Sequence, residues 1–474
     1  MTIKQIANRI DQAGGRAFLI GGAVRDQVLG KPSKDLDVEV HGMDANTLVG
    51  ILSEFGQVNS VGASFGVLKL TIDGEDFDFS LPRRENKTGR GHRGFMVEVD
   101  PTMTTLEAAR RRDFTMNGLM QDVLSGDVTD HFGGTVDLEN HTLKMTDAAT
   151  FIEDPLRVLR GFQFCGRFVL KVEPETSRVC WDMVKEFGTL AVERVWEEWN
   201  KWATKSVRPS LGLQFLHEVG WLHKFPEVAA LVGLEQEESW HPELTVFRHI
   251  CLVVDKCAQI AADDGLTDEQ RAVLVFAGLC HDFGKATTTE VIDGRITSRG
   301  HDQAAEPFVR SFMSRIGAPR WLVEQVVPLC ANHMFRAEPT PRNVRRLSVR
   351  VSPSNVEMLV RLMHSDLARK GSRCRRCRRP LTDPDSVRAG IGPVCATKDW
   401  HPQVILNVAR ENECSAAQPE PVLMGRHLLS FMAPGPEMGR VLRDAFMAQL
   451  DGEFCTVEGG TEWVRKQVVT NERK

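Results

Sequence analysis

Hydrophobic and polar positions alternate with period two in four short stretches near the N-terminus, at 17–22 (AFLIGG), 35–40 (DLDVEV), 65–72 (FGVLKLTI) and 76–81 (DFDFSL). Alternation of this kind predicts half-buried strands, and the helix-like stretches between them predict an α/β or α+β domain over residues 1–140. After Phe151 the strand signal fades, and Leu, Val, Trp and Arg recur at spacings of three and four. The remainder is therefore expected to be mainly α-helical. Breaks in the pattern divide it into 141–235, 236–370, 371–420 and 421–474, the last following the loop-like run CSAAQPEP at 414–421. No repeat of 20–50 residues interrupts this order.

Composition changes the picture little. The 474 residues exceed what a single core usually organises, and the 42% apolar and 26% charged fractions are those of ordinary globular domains. The N-terminus lacks an apolar signal-peptide core and no window suggests a membrane span, so a cytoplasmic protein with no membrane partner is expected. Eleven cysteines in such a chain read as reduced thiols with one possible metal site rather than disulfides. The net charge of −5 argues against a general nucleic-acid coat, yet Arg and Lys concentrate at 83–93, 110–112, 342–350 and 369–379, so a basic stripe can lie on an acidic body.

The candidate chemistry starts at 18–30 (FLIGGAVRDQVLG), where a strand runs through Gly21–Gly22 into a helix near Ala23. Paired glycines let the backbone approach a phosphate at the helix N-terminus, and Gly22 with the cation Arg25 are candidate phosphate contacts. A tight turn alone would also explain them. In KDLDVEV, period two puts Asp35, Asp37 and Glu39 on one face and Leu36, Val38 and Val40 on the other. Carboxylates spaced i, i+2 can hold divalent cations against a triphosphate; a half-exposed strand with a polar outer face is the plainer alternative.

Taken together, GGAVRD-x2-LG-x4-DLD closely resembles the signature of the polymerase β nucleotidyltransferase superfamily, in its branch of tRNA nucleotidyltransferases and poly(A) polymerases. The resemblance implies an α/β head with a mixed sheet, Mg²⁺ held by Asp35 and Asp37, and Asp78 as third carboxylate. It continues through 83–95 (RRENKTGRGHRGF), similar to the family's mobile loop, and 111–117 (RRDFTMN), where Arg112 carries over as a triphosphate contact and Asp113 as a sugar or structural contact. Residues 130–137 (DHFGGTVD) follow the family as a structural turn.

Asp154 precedes Pro155 in EDPLRVLR and reads as a helix N-cap; Arg157 and Arg160 follow on the same helix face. The segment resembles the EDxxR motif by which the family selects nucleotides without a nucleic-acid template. A carboxylate accepting from the amino group of cytosine or adenine, beside a guanidinium donating to the ring nitrogen, would oppose two acceptors against uracil or guanine, at about 1–3 kcal/mol per unpaired group. Asp154 and Arg157 are accordingly assigned to base reading and Arg160 to positioning. Gln163 stands where the family often has another arginine. Residues 192–201 (VERVWEEWNK) match the neck pattern ER-x3-E-x2-K and read as a core-facing helix with a basic rim.

Further on, His249, His281, Asp282, His301, His333 and Asp366 form a series that resembles the HD phosphohydrolase superfamily; WHPE at 240–243 matches its tRNA-nucleotidyltransferase members. The resemblance implies a one- or two-metal site for a divalent transition metal and hydrolysis of phosphomonoesters or 2′,3′-cyclic phosphates. Cys374, Cys377 and Cys395, completed by Cys414 or His401, resemble a small zinc-knuckle insertion for Zn²⁺; unligated cysteines are the alternative. Seven Arg or Lys at 369–379 suggest contact with RNA phosphates. Residues 422–454 resemble the family's helical tail. The implied activity is addition of CMP, CMP and AMP from CTP and ATP to the 3′ end of tRNA. A poly(A) polymerase, a partial C- or A-adding enzyme, and an HD phosphohydrolase with an RNA-binding nucleotidyltransferase-like domain are the alternatives.

Overall fold

A computed structural model describes residues 3–31, 36–59, 67–72, 75–87, 95–237, 243–367 and 402–471. The chain folds into two compact units, 1–224 and 225–474.

All four stretches of alternating sequence form strands. They are β1 (Arg16–Ile20), β2 (Asp37–His41), β4 (Val67–Ile72) and β5 (Glu75–Ser80), joined by β3 (Gln57–Asn59), β8 (Met120–Asp122) and β9 (Val128–Thr129) in one sheet. Its order is β3-β4-β5-β2-β1-β8-β9, with β2 and β5 parallel and the other pairs antiparallel, so the sheet is mixed. Period-two alternation sorts the side chains. Val38 and Val40 of β2, Leu68 and Leu70 of β4 and Phe79 of β5 join a buried core with Ile6 and Ile10 of the Ile3–Gln12 helix and Leu48 and Leu52 of the Ala45–Ser53 helix. The opposite orientation on β2 and β5 belongs to Asp37 and Asp78, both exposed. Two further strands, β6 (Arg83–Lys87) and β7 (Phe95–Val99), form an antiparallel hairpin. The stretch expected to be a mobile loop is thus largely strand at its two ends, with residues 88–94 outside the described set.

The rest of the first unit is mainly helical, with a short parallel pair of strands at Thr142–Leu143 and Lys171–Val172. The Leu156–Phe168 helix carries EDxxR, and the Val192–Lys205 helix carries the ER-x3-E-x2-K pattern. They lock through Phe162, whose ring lies 4.6 Å from Trp199 and 5.4 Å from Trp202. All three rings are fully buried, each burying on the order of 150–250 Å². That packing fixes the polar edges of both helices relative to each other.

Among the described residues, the second unit is mainly helical, with a small hairpin of Thr289–Ile292 and Arg295–Ser298. Its long elements are the helices Val246–Asp263, Asp268–Cys280, Arg320–Asn332 and Val356–Asp366, followed by Pro402–Glu411, Pro436–Asp451 and Val457–Asn471. Among the described residues, no helix is long and apolar enough to cross a membrane.

Candidate active sites

The first site is a cleft of about 1370 Å³ within the first unit, larger than the roughly 300–1,000 Å³ usual for one small ligand. Its walls include Asp37, Asp78, Arg112, Asp154, Arg157 and Arg160. The sheet supplies the first two. Because β2 and β5 run parallel in register, Asp37 and Asp78 are direct partners on neighbouring strands, and they present their carboxylates on the same side. An all-oxygen donor set of this kind suits a hard cation such as Mg²⁺. Asp35 lies outside the described residues.

Behind Asp37 on the same strand, Glu39 is buried between His41 and Arg112. Its Oε1 is 3.0 Å from His41 Nε2, and its Oε2 is 3.1 Å from Arg112 Nη2. Burial alone would raise the Glu39 carboxyl, but the hydrogen bond to His41 and the charge of Arg112 hold it below its ordinary value. The chemistry available is a tether: Arg112 is anchored by a charged partner while it faces the cleft. Glu39 was legible only as the third acid of the strand face, because its partner Arg112 lies 73 residues away.

The opposite wall is built at the start of the EDxxR helix. The expected N-cap is present in substance: Asp154 Oδ1 accepts from the backbone N–H of Leu156 at 3.0 Å, and the helix begins after Pro155. Asp154 Oδ2 accepts from Arg194 Nη2 at 2.9 Å. Arg157 is held by backbone, donating from Nη1 to Thr150 O at 2.7 Å and from Nη2 to Arg111 O at 2.8 Å. One turn on, Arg160 Nε donates to Asp113 Oδ2 at 2.6 Å. Asp113 also accepts from the N–H of Phe114 and from Asn117 Nδ2. Burial would raise the Asp113 carboxyl, yet Arg160 overrides it and keeps it below the ordinary range. Arg194 is a residue whose place the sequence did not reveal; its contact with Asp154 spans 40 residues and depends on how the two helices cross.

Gly22 and Arg25 are not among the residues lining the cleft. Gly21 adopts φ +62°, which lets the strand turn sharply into the Gly22–Val28 helix. Arg25 is 4% exposed. It donates from Nη1 to Asn117 Oδ1 at 2.7 Å and from Nε to Asp26 Oδ1 at 2.9 Å, with its guanidinium 4.3 Å from the Phe168 ring centre. Arg25 joins an Asp26–Asn117–Phe168 cluster beside the Gly21–Gly22 turn, and through Asn117 it braces Asp113. Gln163 is buried, and its Oε1 has no hydrogen-bond partner among the described residues. Asp130 accepts from the N–H groups of Phe132, Gly134 and Thr135, the geometry of a structural turn.

The second unit gathers the other series. His249 comes from the first turn of its helix, His281 and Asp282 from the end of Asp268–Cys280, His301 from a short helix, His333 from the end of Arg320–Asn332, and Asp366 from the end of Val356–Asp366. Their ligand atoms converge. Asp366 Oδ1 is 2.9 Å from His249 Nε2 and 3.5 Å from His281 Nε2; Asp282 Oδ1 is 3.2 Å from His301 Nε2 and 3.9 Å from His333 Nε2. Lys285 Nζ, itself buried, is 2.8 Å from Asp282 Oδ2 and donates to Gln236 Oε1 at 2.7 Å.

Whether this set fits a metal is decided by its nitrogen lone pairs. Each Nδ1 is engaged outward: His249 with Glu243 Oε1 at 2.9 Å, His281 with Gly278 O at 2.9 Å, His301 with Ser298 O at 2.7 Å, and His333 with Cys330 O at 2.6 Å. A carboxylate or carbonyl accepts only, so each Nδ1 carries a proton, and Nε2 is the atom each ring can offer to a cation at the centre. His301 and His333 face one another, Nε2 to Nε2, at 3.2 Å. His281 Nε2 is buried with no hydrogen-bond partner among the described residues. Converging Nε2 atoms and two carboxylates are a donor set that fits a divalent cation. Two overlapping groups have ligand atoms all within 4.8 Å: His249, His281 and Asp366, and His281, Asp282 and His333. Mixed imidazole and carboxylate donors suit a divalent transition metal.

Electrostatics separates the rings. Burial opposes charge on His281, but Asp282 and Asp366 outweigh it and push that ring up to about 10. Burial together with the neighbouring His281 lowers His333 to about 4.

The cysteine cluster is not brought together among the described residues. Cys374, Cys377, Cys395 and His401 lie outside them, as do Trp240, His241 and Pro242. Cys414 is buried, and burial pushes its thiol above the ordinary value.

A mixed sheet with paired acids over a basic cleft, followed by a helical unit with a His/Asp centre, is the architecture of a nucleotidyltransferase head joined to an HD domain. Family models match accordingly: the poly A polymerase head domain over residues 17–144 and the HD domain over 246–365. Residues 369–398 match a family of unknown function (DUF6011). The "Multifunctional CCA protein" of Xanthomonas campestris pv. campestris (strain B100) is 35% identical over 352 residues, covering 73% of this chain and 80% of the relative. That of Xylella fastidiosa (strain M23) is 35% identical over 339 residues, 70% of this chain and 75% of the relative. The chain belongs to the family of multifunctional CCA proteins. Its fold is similar to that of the Bacillus stearothermophilus CCA-adding enzyme solved with CTP, at TM-score 0.63 and 18% identity over 99% of this chain and 97% of the other. It is also similar to the Thermotoga maritima CCA-adding enzyme complexed with tRNA, at TM-score 0.55 and 17% identity, covering 98% of this chain and 94% of the other. As a nucleotidyltransferase with an HD domain, the chain depends on divalent metal.

Proposed function

We propose that the chain rebuilds the 3′ end of tRNA, adding CMP, CMP and AMP from CTP and ATP without a nucleic-acid template. The observation that carries this is the register pair Asp37 and Asp78 in the cleft that also holds Asp154 and Arg157. The 3′ hydroxyl of tRNA attacks the α-phosphorus of the incoming nucleotide and pyrophosphate leaves. Mg²⁺ held by Asp35, Asp37 and Asp78 would neutralise the triphosphate and make the hydroxyl a better nucleophile. Gly22 offers backbone at the strand-to-helix turn, and Arg112, tethered by Glu39, faces the phosphates from the cleft wall. Asp154 accepts from the base amino group and Arg157 donates to the ring nitrogen, while Arg160, paired with Asp113, and Arg25, paired with Asn117, hold that wall rigid. Rigidity matters because positioning supplies most of what a nucleotidyltransferase contributes. Head, neck, HD domain, cysteine-rich insertion and tail follow the divisions near 140, 235, 370 and 420.

The test offers the purified chain a tRNA ending at the discriminator base, with each NTP singly and together. Extension by three nucleotides that needs only CTP and ATP supports the reading. Long adenylate tails favour a poly(A) polymerase, and no extension contradicts nucleotidyl transfer.

A second activity is supported by the converged His/Asp centre. The HD unit hydrolyses phosphomonoesters or 2′,3′-cyclic phosphates, with His249, His281, Asp282, His301, His333 and Asp366 holding a divalent transition metal and Lys285 fixing Asp282. A zinc at Cys374, Cys377, Cys395 and Cys414 beside the basic run 369–379 would add a contact to tRNA. Unchanged zinc content in a Cys374→Ser, Cys377→Ser variant would sink that part.

A further inference from the structure

We infer that Glu243 is a positioning residue for the HD metal centre, setting the tautomer and donor strength of His249; the inference rests on reading that centre as a metal site. Three of the four histidines are oriented by a backbone carbonyl three residues upstream, an arrangement that belongs to the fold and that no side-chain change removes. His249 differs. Its Nδ1 pairs with the carboxylate of Glu243 at 2.9 Å, and both groups are buried.

The local chain is shaped to put that carboxylate there. Leu244, between Glu243 and the N-cap Thr245, adopts φ +70° and is exposed, whereas Glu243 points inward. A leucine in the left-handed region costs roughly 1–2 kcal/mol, so this backbone persists against its own preference. An isolated bridge between Glu235 and Thr245, with Gln236 N donating to Leu244 O at 2.9 Å, holds the turn. Carboxylate on Nδ1–H has two effects. It keeps a proton on Nδ1, so Nε2, which faces Asp282 and Asp366, is the atom free to bind a cation shared with those carboxylates. Being a stronger acceptor than an amide carbonyl, it also makes the ring a better donor to a cation.

The experiment strips the full chain of metal and titrates Co²⁺ or Zn²⁺ against a chromophoric chelator. It compares wild type, Glu243→Gln and Glu243→Ala, with His281→Ala as reference. Affinity should fall in that order, several-fold for Glu243→Gln and 10–100-fold for Glu243→Ala. In ¹⁵N-histidine spectra of the Zn²⁺-loaded protein, the His249 Nδ1–H signal should move slightly in Glu243→Gln and further in Glu243→Ala, with the other three histidines unchanged. CTP incorporation should not change in either Glu243 variant. Wild-type affinity in Glu243→Ala overturns the proposal; should that variant not fold, wild-type affinity in Glu243→Gln does. Undiminished metal binding in His281→Ala would instead refute the metal site itself.

Discussion

Asp113 and Arg194 are the two residues whose surroundings say most about the cleft. Asp113 is 7% exposed and accepts from Arg160, Asn117 and the N–H of Phe114. Its carboxyl sits below the ordinary value, so the folded state binds its proton less readily than the unfolded chain. The stabilisation is therefore complete above the unfolded carboxylate range and is lost as pH falls through the lowered folded value. Asp113→Asn should cost about 1.5–3 kcal/mol at neutral pH, since Arg160 is partly solvated. In urea melts the gap from wild type should narrow as pH drops below about 4; a gap that does not change with pH would contradict this. Arg194→Ala releases one oxygen of Asp154. It should lower kcat/KM for CTP on the order of 10–100-fold and raise the share of UTP incorporated, because small misplacements at a reacting site cost about that much. Equal CTP kinetics would show that the pair has no part in base selection. Sequence reasoning reached Asp154 and Arg157 through their motif but left Arg194 as part of a neck pattern. The pairing is made by helix crossing, and no local spacing encodes it.

Among the elements, the strands were the most legible. Period-two alternation located β1, β2, β4 and β5, and the acid face of β2 followed from it. What alternation cannot give is the neighbour: that β5 lies parallel against β2, with Asp78 opposite Asp37, is a property of the sheet order. The contacts of Arg25 were hidden for a related reason: Asn117 and Phe168, which hold its guanidinium, are remote in sequence. The loop after His281–Asp282 carries an element-scale prediction. Gly284 has an ordinary negative φ, yet an added Cβ would land on the carbonyl of His301. Gly284→Ala should push the two segments apart at a cost of about 1–3 kcal/mol and weaken metal binding in the second unit. Its nucleotide addition should stay at the wild-type rate, and a change in CTP incorporation with metal binding intact would contradict the account.

Taken whole, the molecule has two compact units, each with a candidate metal centre of different donor chemistry: carboxylates on a sheet in one, imidazole and carboxylate among helices in the other. The division into a sheet-bearing head and a helical remainder was readable from where alternation stops. The six HD residues were readable as a series through their resemblance to the HD superfamily, since any one of them alone reads as an ordinary core or surface residue. Glu243 and Lys285 were not singled out, since a buried acid and a buried lysine show their purpose only beside the groups they hold. Separate centres should fail separately. His281→Ala is expected to abolish metal-dependent phosphatase activity while CTP incorporation continues, and a joint loss in a folded variant would contradict two independent sites. The most direct test of the central claim is single-turnover CMP addition to tRNA lacking its 3′ CCA by Asp37→Asn and Asp78→Asn beside wild type. Rates lower by at least about 10³-fold for Asp37→Asn, with the fold intact and CTP still bound, are predicted; incorporation at the wild-type rate in that variant would contradict the assignment.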